Sequence, residues 1–107
     1  MFGWAVNLRL AGTLDQGQVD ALRSALRLAP EGRLDDGYDE VFGRRTDDVD
    51  GGRLQTLLYR EDSPGPWAFH VNAEGHPSAE ALRAVEDELT RVARANGLEI
   101  AEVSRRN

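Results

Sequence analysis

Between Ser78 and Gly97 the chain carries its large apolar side chains on one side of a helix only. Leu82, Val85, Leu89, Val92 and Ala93 recur at helical spacing, while Arg83, Glu86, Asp87, Arg91 and Arg94 fall mostly outside that stripe. A helix built this way has to lay its stripe on another layer. Its ends are marked by Ser78 as N-cap after Pro77, by Glu80 in the positive first turn, and by the stop signal Asn96-Gly97. A second one-sided helix is predicted after Asp15. Asp15 and Gln18 have capping-box spacing, Leu14 and Val19 have staple spacing, and Val19, Leu22, Ala25, Leu26 and Ala29 form the stripe. Gly17 weakens the first turn, and Pro30 with Gly32 places the end near Ala29.

The layer these helices cover reads as a sheet. In residues 4–10, Trp4, Val6, Leu8 and Leu10 alternate with Ala5, Asn7 and Arg9, the period of a half-buried strand. A register slip of one residue would send Arg9 into the core. In residues 67–73, Trp67, Phe69 and Val71 share one face, and Ala68, His70 and Asn72 the other. A strand over 53–61 precedes it, joined through Ser63-Pro64-Gly65-Pro66, which suits a type II turn. Pro66 belongs at a strand start or an edge. A short strand over 38–45, anchored by Val41 and Phe42, is expected between the turn signals Asp35-Asp36-Gly37 and Asp50-Gly51-Gly52. A last strand runs over 98–104, with Arg105-Arg106-Asn107 frayed beyond it.

The expected architecture is one α+β domain over 1–107, with both helices on one face of a largely antiparallel sheet of four or five strands. The order β-α-β-(β)-β-α-β resembles the ferredoxin-like layout, at the level of architecture only. A layout so widely reused assigns no activity.

Composition removes several chemistries. With 107 residues, one domain is expected. The chain has no cysteine, which excludes disulfides, thiolate zinc sites and cysteine nucleophiles. All 13 basic residues are arginine, so lysine Schiff-base chemistry is excluded too. A net charge of −6 argues against tracking nucleic-acid phosphates. No apolar run suits a membrane span and no signal-peptide pattern opens the chain, so a cytoplasmic location is expected. No serine sits in a nucleophile elbow, no glycine loop suits a phosphate, and no cofactor is implied.

Charge is concentrated. Asp35, Asp36, Asp39, Glu40, Asp47, Asp48 and Asp50 stand against Arg44 and Arg45 alone, seven acids to two bases, a net −5 between 35 and 50. Such a segment docks a basic protein partner, weakly holds a divalent cation, or simply keeps a loop solvated. Calcium is rejected. With Thr46 as position 1 of an EF-hand loop, the first ligand is threonine and Leu57 stands where a glutamate is required.

The uncovered sheet face is the other candidate. His70 and Asn72 point to it, and Arg9 and Asn7 join them if the first strand lies alongside. Arg9 would anchor an anion, His70 act as acid, base or donor, Asn72 orient it, and Tyr59 with Leu57 supply an apolar wall. His76 reads as a turn residue leading into the helix, and no metal site is expected. Tyr38, Phe42, Leu57 and Tyr59, with Ala68 and His70, form an apolar-aromatic patch on the same face. Its expected role is a two-fold homodimer contact, with cover by the chain's own loop or a small-molecule groove as alternatives. The sequence therefore favours a small non-catalytic interaction domain, inhibitor-like, immunity-like or regulatory, that meets a basic partner through its acidic segment. The alternative is a ligand-binding or enzymatic domain built around His70.

Overall fold

The capping box at Asp15 forms as its residues require. The Gln18 amide donates to Asp15 Oδ1 (2.7 Å) and the Asp15 amide donates to Gln18 Oε1 (3.0 Å). In the computed structural model, which describes residues 4–30, 40–60 and 66–106, helix α1 (Gln16–Leu26) follows strand β1 (Ala5–Leu10). Then come β2 (Ala29–Pro30), β3 (Glu40–Val49), β4 (Gly52–Arg60), β5 (Trp67–Gly75), α2 (Ala79–Ala95) and β6 (Ile100–Arg106). Ser78 caps α2 through the Ala81 amide (3.1 Å), and Gly97 leaves it at φ +76°.

All pairings are antiparallel, in the order β2-β3-β4-β5-β1-β6. The α+β architecture with one antiparallel sheet is therefore present. The ferredoxin-like order is not, because β3 extends the sheet beyond β4; among the described residues the two-residue β2 adds a short sixth strand to five longer ones.

The side chains divide as the alternation requires. Val6 pairs with Val71, and Leu8 with Phe69; Phe69 is flanked on its other side by Leu58. These residues share one core with Val19, Leu22 and Leu26 of α1 and Val85, Leu89 and Ala93 of α2. Both helices thus cover the same face of the sheet, and Phe69, Leu58, Leu22 and Leu89 are wholly buried. Each such side chain contributes about 1.5–3 kcal/mol of burial.

Three boundaries and one side-chain direction differ from the sequence reading, each for a local reason. Helix α1 stops at Leu26, not near Ala29, because Arg27 takes a left-handed conformation (φ +56°) and the Leu28 amide folds back onto the Arg23 carbonyl (2.9 Å). Strand β3 runs on through Asp47 and Asp48 to Val49, where an acidic loop was expected, because Arg45 and Arg53 neutralise both aspartates. Arg105 and Arg106 do not fray: they pair with Val6 and Ala5, and Arg105 reaches Glu86 of α2 (2.6 Å). Phe42 does not join the open face. A bulge between Val41 and Gly43 turns its ring onto Trp67 (4.6 Å between centroids), beside Arg60. Tyr38 and the 63–65 part of the expected turn lie outside the described residues.

The β3–β4 turn is docked on the approach to α2. The His76 amide donates to the Gly51 carbonyl (2.8 Å), and the Ser78 amide to that of Asp50 (3.1 Å). Gly51 has φ +89°, and a Cβ there would collide with the His76 carbonyl oxygen. At Gly12 (φ +77°) a Cβ would meet nothing within 4 Å. Gly51→Ala is expected to destabilise the fold by about 1–3 kcal/mol more than Gly12→Ala, measured by urea denaturation.

Thr56 is fully buried on the helix-facing side and its hydroxyl has no hydrogen-bond partner among the described residues. Thr56→Val keeps the shape and removes that unsatisfied group. It is expected to raise stability by about 1 kcal/mol in the same assay.

Candidate functional site

The strand pairings lay the open face out in rows. One row reads Ser104, Asn7, His70, Leu57 and Arg44 across β6, β1, β5, β4 and β3. A second reads Glu102, Arg9, Ala68, Tyr59 and Val41, and a third Arg106, Ala5, Asn72, Gln55 and Thr46. Ala68 is small and fully buried, which lets Tyr59 lean across β5. Its hydroxyl donates to Asn7 Oδ1 at 2.7 Å. His70 Nδ1 lies 3.4 Å from the same oxygen, and its ring meets that of Tyr59 edge-on (6.4 Å, 87°). An amide oxygen only accepts, so this contact favours the imidazole tautomer with its proton on Nδ1 and leaves Nε2 as an acceptor.

These side chains border an open recess of about 360 Å³, closed on the β6 side by Ser104 and Arg106. Burial, with a further push from the Arg106 charge, holds the His70 pKa below the ordinary histidine value. Arg106 enters no ion pair among the described residues, whereas Arg9 is held by Glu102 (3.2 Å) and Arg105 by Glu86.

Of the residues singled out for this face, the fold brings His70, Tyr59 and Asn7 together at the recess. Arg9 is engaged by Glu102 outside it, and Asn72 donates to Gln55 Oε1 (3.4 Å). Two arginines border the recess, Arg105, which is held by Glu86, and Arg106; sequence reasoning missed both because it read the C-terminal arginines as frayed.

The acidic segment does not converge. Asp35, Asp36 and Asp39 lie outside the described residues. Glu40 opens β3, and Asp50 sits in the turn. Strand alternation sends Asp47 and Asp48 to opposite faces, where Asp47 binds Arg45 (2.8 Å) and Asp48 binds Arg53 (3.1 Å). Among the described residues no three metal-binding side chains gather. No helix among them is long and apolar enough to cross a membrane.

Arg45 was also missed. It reaches the helix-covered side, donates to the Leu26 carbonyl (2.7 Å) and forks onto Glu88 (2.7 and 3.3 Å). Burial opposes its charge, but Glu88 and Asp47 together outweigh that and raise its pKa above the ordinary value. One guanidinium thus ties β3 to the end of α1 and the middle of α2.

The fold and recess define a small α+β protein with a polar hollow on the open face of an antiparallel sheet. Comparison of the chain with family models, with curated proteins and with solved structures finds no match.

Two outcomes follow from these geometries. Arg45→Leu strands Glu88 and frees the Leu26 carbonyl, and is expected to cost about 2–4 kcal/mol in chemical denaturation. Because the His70 pKa is depressed, the unfolded chain binds more protons than the native one just below the ordinary histidine value. Stability should be complete above about pH 6.5 and decline as pH falls from there through the lowered value. His70→Gln should flatten that part of a stability-versus-pH curve.

Proposed function

We propose that the protein binds a small organic carboxylate in the recess of the open sheet face. The observation that carries this reading is the convergence of Arg106, Ser104, His70 and the Tyr59–Asn7 pair on one hollow of about 360 Å³. That volume lies at the small end of the range for ligand sites. Arg106 supplies donors for the carboxylate, and the Ser104 hydroxyl, which donates to Glu102 Oε1 (3.3 Å), reaches it by rotating away from that partner. The Tyr59 ring gives an apolar wall. His70, kept neutral by burial, offers Nε2 to a hydroxyl or N–H on the ligand, so a carboxylate bearing a donor group fits best. No bond-making step is assigned to the site.

The docking reading of the acidic segment has less in its support. Asp47 and Asp48 diverge and are each matched by an arginine, so they add little to a one-sided negative field. A contact between copies through the open face keeps Leu57 and Tyr59 but loses Phe42, which packs on Trp67.

Salicylate, a carboxylate with an adjacent hydroxyl, is a suitable probe. Its titration into isotope-labelled protein should produce saturable amide shifts at Asn7, His70 and Ser104, and Arg106→Gln should weaken binding about tenfold or more. Absent shifts at those positions, or equal affinity in the variant, would refute the proposal.

A further inference from the structure

The two edges of the sheet are finished differently. On one side β2 is two residues long and ends in Pro30, which has no N–H to offer. On the other, β6 pairs only with β1 among the described residues. Its residues from Ala101 to Arg106 are all exposed and contain neither proline nor glycine. Val103, in the middle, is the exposed large hydrophobic residue among those described, at 40%. A row of unpaired backbone donors and acceptors of this length is a template for another strand.

The charges along β6 say which strand. Glu102, Ser104 and Arg106 occupy the open-face side at alternate positions. In an antiparallel two-fold pairing of β6 with itself, centring on Glu102 would set that carboxylate against its own copy, and centring on Arg105 would oppose two guanidinia. Centring on Val103 leaves Arg105 and Arg106 opposite Ala101 and Ile100. Centring on Ser104 sets Glu102 opposite the partner's Arg106 and Arg106 opposite the partner's Glu102, while each Val103 lies under the stem of the partner's Arg105. Opposite charges facing across strands stabilise a pair and like charges destabilise it, so the side chains that repel the Glu102 and Arg105 registers reward this one.

We propose that β6 is the contact through which a second copy of this chain adds to the sheet, in the antiparallel register centred on Ser104. The occupant is self-complementary in charge, as a two-fold contact requires. Arg106 then stands between the partner's Glu102 and the recess. A guanidinium has five N–H donors and can serve both sides.

Sedimentation of the full chain tests this, with single charge reversals as variants. Wild type should be dimeric. Glu102→Arg and Arg106→Glu should each weaken association about tenfold or more, since each sets like charges face to face. An equimolar mixture of the two should dimerise again, because every opposed pair is then Glu with Arg. The chain has no cysteine of its own. Ser104→Cys should therefore cross-link to its copy on oxidation, directly opposed residues lying within disulfide reach, and Glu99→Cys should not. A chain that stays monomeric at every concentration would overturn the proposal. So would a dimer indifferent to the single reversals, or a Ser104→Cys variant that forms no cross-link.

Discussion

Phe69 is the residue on which the rest of the layout turns. It sits between Leu8 and Leu58, has no exposed surface, and lies beneath both helices. Burying this one ring on the helix side obliges His70, the next residue, to point the other way. The same obligation passes through the pairings to Asn7 on one neighbour and Leu57 on the other. The polar recess is thus the reverse side of the hydrophobic core, and the row that lines it is set by the row that packs behind it.

A second constraint holds the sheet to its helices at the β3 side. Strand β3 carries few apolar groups towards the core, and at Gly43 it passes so close to Leu28 that a side chain has no room. Arg45 takes over the role of a packing residue there. Its guanidinium joins a helix-end carbonyl, a carboxylate of α2 and one of its own strand. Taking the charge out of water is offset only because every partner is in place. This explains how a segment so rich in charge runs as a strand: its ions are matched across the layers instead of being left to solvent.

Much of this was legible in the residues. Strands β1 and β5 announce themselves by alternation, and α2 by its stripe and caps, because burial on one side leaves a periodic mark. Where charge pairs replaced burial that mark vanished, so 47–49 read as loop and 105–106 as a loose end. The end of α1 was hidden because Arg27, without glycine's freedom, adopts a left-handed conformation. The bulge that turned Phe42 away leaves no trace in a pattern of period two. At the recess, His70 and Tyr59 were foreseen as outward-facing residues. Their joint contact with Asn7 was not, since it depends on Ala68 being small enough for a ring to pass over it.

The short, proline-ended β2 has a consequence of its own. Sheets with two receptive borders can recruit neighbours without limit and grow into fibres. Here one border is met at Gly43 and Arg44 by two residues ending in proline, and a two-fold contact at the other closes on itself, so a single addition exhausts it. Whatever concentration the chain reaches, association by this route terminates at a pair.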